Sequence, residues 1–535
     1  VIAPGAGVAN LAHIATALPA WRAFGAGLGD PERAQAATLE RILRRAEGSV
    51  FARAHGLDAR SGADGLRRAV PLRTYDELRP WIDRAVAGEQ RVLTTAPILR
   101  FQPSSGSAAA SKLLPWTASF AGELRRAISA WLADMMLRHP GLLGGPAYWS
   151  VSPALPALPA TAGGIPVGFE DDAEYLGPVA RRLASWGLAV PGGIRHIAGV
   201  DPWRRRTLLH LLRARELRLL SVWSPSFLPL LLAPLGGLLA GLAAEIAGGS
   251  PPLDLGFARL KALPPDRGRA REVERAGADP GRLWPRLALL SCWSDGPSTA
   301  DALALASRLG GVPLEGKGLI ATEAVVSIPF GGARPLAVTS HFLEVDTGEG
   351  QPRLVHQLRE GDTGSIIVTT GAGLWRYRLQ DRIEVTGFVG RTPAIRFLEK
   401  EDLVCDRFGE KVHAGHAAAV IARLREALGL PDGLAFLAPD AAAERPCYTL
   451  FLSAPGVPAG AAERLEALLA ENFHYAHCVR LGQLAPARVF RVEGDGLEPY
   501  YAACVARGSR IGDVKPTGLR REGNWSQLLP GRYVE

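Results

Sequence analysis

Cysteine is scarce in this chain: Cys292, Cys405, Cys447, Cys478 and Cys504 are odd in number, widely spaced and free of any C-x-x-C pair. That usage speaks against a disulfide framework or a structural zinc site and predicts a reducing, cytoplasmic setting. No block of basic residues stands out, although 61 Lys+Arg face 53 Asp+Glu for a net charge of +8. A nucleic-acid footprint would concentrate Lys and Arg on one stripe with aromatics between them, so nucleic acid is not an expected partner. The excess favours anionic small molecules such as nucleotides. Near the first residues no basic segment leads into an apolar core, so nothing there reads as an export signal. An uninterrupted hydrophobic span is missing too. From Leu219 to Ala244 there is no charge, but Pro225, Pro229, Pro234 and the pair Gly236 and Gly237 break the run. It reads as a buried strand-turn-helix unit, and stable membrane insertion is not expected.

What is present is a globular composition, 47% hydrophobic and 21% charged over 535 residues, too long for one core. Short apolar runs alternate with amphipathic helices, as at Leu287 to Cys292 followed by Thr299 to Leu309. This predicts an α/β architecture with mostly parallel sheets. Pro31 to Arg68 has helical spacing, and Arg91 to Leu99 reads as a strand entering a loop. Leu319 to Glu323 reads as an apolar strand ending in a hydroxyl and a carboxylate. A charged run, Glu399 to Asp402, follows the strand-like Ala394 to Leu398 and suits a hinge. Beyond it the pattern predicts a helix over Ala414 to Leu428, a strand over Cys447 to Ser453, a helix over Ala461 to Asn472 and a strand over Arg488 to Val492. The chain therefore divides into a large domain, 1–398, and a small α+β domain, 399–535.

Four segments carry chemistry. Ser104 to Lys112 follows an apolar run, and its small residues would let backbone N–H groups approach phosphate oxygens while Lys112 supplies charge. Thr322 and Glu323 offer a hydroxyl and a carboxylate of the kind that holds Mg²⁺. In Gly373 to Asp381 a carboxylate can accept both ribose hydroxyls and an aromatic can pack on a nucleoside. Gly508 to Lys515 is a Gly-containing loop whose lysine could reach a phosphate. Each alone is also what an ordinary turn, strand end or solvated loop shows. Gly311 to Gly318 matches G-x-x-x-x-G-K, but no Ser or Thr follows Lys317 and a helix precedes it, so it is not read as a nucleotide loop. His474 with His477, and His413 with His416, have helical spacing and no partner cluster, and are read as packing or surface residues.

In order and placement the four segments resemble the plant auxin-responsive GH3 acyl acid amido synthetases, a family of adenylate-forming enzymes. Val70-Pro71-Leu72 through Tyr75 and Leu78 is similar to the family's V-P-x-x-x-Y-x-x-L. Gly373 to Phe388 is similar to its G-L-Y-R-Y-R-x-G-D-x-x-x-V-x-G-F, and Gly508 to Lys515 to its G-S-x-x-x-Q-x-K. Gln380 stands where the family has Gly, Asp513 where it has Gln, and Ala108 to Ala110 where it is rich in Gly or Thr.

The resemblance implies a large adenylation domain and a mobile C-terminal domain carrying Lys515. It implies that Ser105, Gly106, Ser107 and Lys112 form a phosphate loop, that Thr322 and Glu323 serve ATP and Mg²⁺, and that Tyr377 packs on the nucleoside. Asp381 would bind ribose, Lys400 would belong to a basic hinge that touches ATP, and Lys515 and Glu323 would be catalytic. The implied reaction is activation of a carboxylic acid by ATP as its acyl-adenylate, then transfer to an amine, such as an amino acid. Transfer to coenzyme A, or nucleotide binding without catalysis, are the alternatives.

Overall fold

The computed structural model describes residues 4–103, 112–150, 159–168, 186–256, 259–401, 403–440, 445–509 and 511–534. The chain forms two compact units. Val1–Asp295, Asp301–Leu379 and Ile383–Phe397 make the first, and Gly296–Ala300, Gln380–Arg382 and Leu398–Glu535 the second.

Helices lead the first unit: α1 (Pro4–Gly29), α2 (Pro31–Ala46), α3 (Val50–Ala54), α4 (Gly62–Ala69) and α5 (Tyr75–Val86). The stretch expected to be helical from Pro31 to Arg68 is thus three helices. Gly48 and Gly56 take positive φ between them, Gly62 does so at the start of α4, and Ser49 caps α3 by accepting the Ala52 N–H. In α2, Asp30 caps the first turn and Leu39, Ile42 and Leu43 form the buried stripe. The strand expected from Arg91 begins only at Ile98, because Arg91 itself is left-handed at φ 57°. That strand, β1 (Ile98–Pro103), pairs antiparallel with β2 (Leu113–Thr117), Pro103 lying opposite Leu113. Helix α6 (Ala118–Arg138) follows directly, capped by Thr117.

A parallel sheet is built from β3 (Ala147–Trp149), β4 (Leu219–Ser221), β7 (Leu289–Cys292) and β8 (Leu314–Gly316), in the order β3-β4-β7-β8; β5 (Leu253–Asp254) and β6 (Arg259–Leu260) form a separate small pair. β4 and β7 are buried throughout, as central parallel strands must be. The uncharged run after Leu219 becomes β4 and the helices Phe227–Leu232 and Leu235–Gly248, the strand-turn-helix unit expected. Among the described residues no helix is long and apolar enough to cross a membrane.

The second sheet of this part of the chain has the order β10-β9-β11-β12-β13, from β9 (Phe342–Asp346), β10 (Arg353–Leu354), β11 (Thr363–Thr369), β12 (Tyr377–Val389) and β13 (Thr392–Lys400). β9 pairs antiparallel with both β10 and β11. Glu399 and Lys400, expected in a hinge, are the last residues of β13. Leu319 to Glu323 is not a strand: Ile320 bridges Val325 and the Ala321 N–H bonds the Ala324 carbonyl, so the chain doubles back around Thr322 and Glu323.

In the second unit, β14 (Val404–Cys405) pairs with β15 (Val412–His413), and β16 (Ala435–Asp440), β17 (Cys447–Ser453), β18 (Arg488–Val492) and β19 (Gly531–Val534) form a mixed sheet in that order. Its core joins Leu424 of the helix Ala414–Leu428 and Leu465 of Ala461–Leu469 to Leu437, Leu450 and Val489 of the sheet. The expected helix to Asn472 stops at Leu469. Asn472 instead caps a new helix, Phe473–Arg480, accepting the His474 and Tyr475 N–H groups at 2.9 and 3.4 Å. His474 and His477 lie on that short helix. Among the described residues no group of three or more His, Cys, Asp or Glu is arranged to hold a metal ion. All five cysteines are buried free thiols.

Candidate active site

Ser105, Gly106 and Ser107 lie outside the described residues. Lys112, where the described chain resumes, is half-buried with its ammonium 5.8 Å from the centre of the Tyr75 ring. Tyr75 is itself fixed to that spot: its hydroxyl accepts the Leu113 N–H at 2.8 Å. A capping box of Thr74 and Glu77 sets the start of the helix that carries it. Thr322 and Glu323 occupy the turn described above, and both residues are partly exposed.

The segment from Gly371 to Asp381 is anchored at several points. Gly373 has φ 90°, and a Cβ there would collide with Leu93. Trp375 stacks on Phe51 at 5.5 Å and donates its indole N–H to the Leu93 carbonyl at 3.1 Å. Arg376 takes φ 45° and sends its guanidinium inward to Glu344, Nε to Oε2 and Nη2 to Oε1, both at 3.0 Å. Tyr377 starts β12 and is buried at 2% exposure, its backbone held beside Arg73. Asp381 is also 2% exposed, and Lys400 Nζ lies 2.9 Å from its Oδ1. Two residues chosen for ATP from separate motifs are thereby brought together as an ion pair.

Gln380, in the family's glycine position, keeps a left-handed backbone at φ 62°. The turn therefore retains the conformation glycine favours, with a side chain that tolerates it poorly. Gln380→Gly is expected to be neutral or slightly stabilising, whereas Gln380→Val should cost about 1–2 kcal/mol. Urea denaturation of the two variants checks this, and equal stability would remove the strain argument.

Sequence reasoning missed the group that holds this segment from behind. Glu123 of α6, 1% exposed, accepts the Gly371 N–H on Oε2 at 2.9 Å, with His341 Nδ1 3.0 Å from the same oxygen. Thr117 donates to the Gly371 carbonyl at 2.9 Å. A Cβ on Gly371 would strike the Glu123 carboxylate, which explains the glycine. The available signal was a lone acid among Phe120, Leu124 and Ala127 on the buried face of α6. Beside it, burial and the neighbouring Arg41 push Arg126 down to about 10.

In the second unit, Lys515 follows a short 3₁₀ turn, Ile511–Asp513, and its side chain is exposed. Its backbone is pinned. The Lys515 carbonyl accepts from Tyr500 Oη at 3.2 Å and Arg520 Nη2 at 3.3 Å, and the Val514 carbonyl from Tyr501 Oη at 3.2 Å.

Comparison with known proteins places these residues in a family. A probable indole-3-acetic acid-amido synthetase of Oryza sativa subsp. japonica, GH3.4, is 24% identical over 563 residues, 93% of this chain and 87% of its own. Another from the same source, GH3.2, is 24% identical over 446 residues, 73% of this chain and 69% of its own. The solved structure of the GH3.15 acyl acid amido synthetase superposes with a TM-score of 0.78 at 18% identity, covering 95% of this chain and 94% of that one. Residues 22–314 match the GH3 family N-terminal domain and residues 338–400 the GH3 family central domain, so the chain belongs to the GH3 family.

Proposed function

We propose that this protein is a ligase that activates a carboxylic acid with ATP and passes the acyl group to an amine, an amino acid by the example of its relatives. Membership of a family whose named relatives are amido synthetases carries the reading. A carboxylate oxygen attacks the α-phosphorus and pyrophosphate leaves; the amine nitrogen then attacks the acyl carbon and AMP leaves. Positioning and charge neutralisation supply the acceleration. In this reading Ser105, Gly106, Ser107 and Lys112 take the phosphates, Thr322 assists them, and Tyr377 and Asp381 take the nucleoside. Glu323 suits Mg²⁺ because it and the neighbouring Thr322, both partly exposed and on one tight turn, offer a carboxylate and a hydroxyl, hard oxygen donors. Lys400 supports Asp381 by direct pairing. Lys515 supplies a compact positive charge for the reacting carboxylate and α-phosphate.

The test is acid-dependent exchange of pyrophosphate into ATP across aryl, indole and fatty acids, with mass spectrometry of products formed with amino acids or coenzyme A. Amides support the proposal, thioesters redirect it, and ATP binding without exchange removes catalysis. Within it, Asp381→Ala should weaken ATP binding by about 10-fold or more, since charge-assisted bonds to ribose are worth roughly 1.5–3 kcal/mol. An unchanged ATP dissociation constant would end the assignment.

A further inference from the structure

Lys317 lies just past the end of β8, between two glycines required by close approach. A Cβ on Gly316 would collide with Ser294 Oγ, and one on Gly318 with the Ser327 carbonyl. The lysine between them is driven inward to 1% exposure. Its Nζ donates to Ser221 Oγ at 2.8 Å and Ser291 Oγ at 3.5 Å. These serines stand in register at the carboxyl ends of β4 and β7, beside Trp149 of β3. Trp131, Trp149 and Trp223 wall the ammonium, their ring centres 4.9, 5.0 and 4.9 Å from Nζ.

Hydroxyls and ring faces do not neutralise a buried charge. Among the described residues no carboxylate forms an ion pair with Lys317; Glu315 on β8 is committed to Arg138 and accepts from Trp131 Nε1 at 3.3 Å. Burial pushes the lysine down to about 7 and the nearby Cys292 thiol up to about 12. An ammonium so placed is costly unless an anion joins it. Open parallel sheets bind ligands outside the carboxyl ends of their strands, where this lysine sits. Trp131 is buried and Trp223 is 36% exposed, so Trp223 is the wall on the solvent side.

We propose that Lys317 and its three tryptophans form the recognition subsite for the acid substrate, the ammonium taking the carboxylate and the rings the body of an apolar monocarboxylic acid. The substrate assignment rests on the acid-activating reading above, and the subsite is testable without it.

The experiment is calorimetry on the full chain at pH 8 with phenylacetate, indole-3-acetate and octanoate, and with phenylacetamide as the uncharged control. At least one acid should bind, phenylacetamide should bind no more than about one-tenth as tightly as phenylacetate, and Lys317→Met should weaken the acid by 10-fold or more. Binding should also take up about one proton, because the free lysine is mostly neutral at pH 8 and the paired one is charged. Cys292 and Glu315 are the titratable groups that act on it, with Arg138 and His139 against Glu315 and Arg334 beside Gly316, and the uptake should vanish in Lys317→Met. That variant keeps the length of the stem and replaces a buried amine with an apolar group, so it is expected to fold. Trp223→Ala, at a partly exposed position, should weaken the acids with the lysine intact. Acid binding unchanged in Lys317→Met, or no binding of the three acids by the wild type, overturns the subsite. Pyrophosphate exchange with an unchanged acid KM in Lys317→Met does so too, while leaving the reaction standing. Binding without any exchange does the reverse.

Discussion

Lys515→Ala is expected to slow acyl-adenylate formation by roughly 10² to 10³ and to change ATP affinity much less. The asymmetry follows if the ammonium neutralises charge that develops between the carboxylate and the α-phosphate, an interaction made mainly in the transition state. The geometry makes the experiment clean. Tyr500 and Arg520 hold this residue by its carbonyl oxygen, so truncating the exposed side chain leaves the anchoring bonds in place. A fall in rate would then report chemistry rather than a collapsed loop. Lys515→Arg should rescue poorly, because a planar guanidinium is wider than an ammonium. Pyrophosphate exchange and equilibrium ATP binding, measured on both variants, decide it: near-normal exchange in the Ala variant would make Lys515 an ordinary surface lysine.

How far the sequence could be read depended on whether a segment's partners were local. The helix Ala414–Leu428 and the strands Cys447–Ser453 and Arg488–Val492 have the expected bounds, because periodicity and flanking turn residues specify them. Leu319 to Glu323 misled because an apolar run looks like a strand wherever it is buried. The reversal shows only in its pairing, Ile320 bridging Val325 and the Ala321 N–H bonding the Ala324 carbonyl, and no local pattern announces it. The motif residues were legible as chemistry but not as neighbours. Asp381 and Lys400 were chosen from different arguments, and nothing in their spacing shows that two adjacent strands set them 2.9 Å apart. Glu123 and His341 are 218 positions apart, and no local pattern joins them. Lys317 was visible only as part of a failed nucleotide-loop match; its burial depends on serines 96 and 26 positions away.

The same dependence on distant partners makes Glu344 the residue whose loss should cost the first unit most. Its carboxylate, 1% exposed, accepts two bonds from Arg376 at 3.0 Å and one from Arg67 Nε at 2.8 Å. Arg376 is itself 3% exposed and reaches the Val70 carbonyl at 2.8 Å through its remaining arm. Glu344→Ala would leave one guanidinium deeply buried and a second largely buried, without their shared anion. Breaking a buried pair from one side costs about 3–5 kcal/mol, a large part of the stability of a typical domain. An exposed pair such as Arg396 with Glu384 offers the control, since Glu384→Ala should change stability by less than about 1 kcal/mol. The effect should also reach function, because Arg376 holds its left-handed backbone immediately before Tyr377 and four residues before Gln380. At temperatures where Glu344→Ala remains folded, ATP binding should still weaken, although Glu344 is assigned no contact with nucleotide. Urea unfolding of both variants, followed by ATP titration of the folded Glu344→Ala protein, tests the two claims separately. Stability within 1 kcal/mol of wild type would show that the arginines find other partners. Normal ATP affinity in a destabilised variant would show that the strand keeps its shape without them.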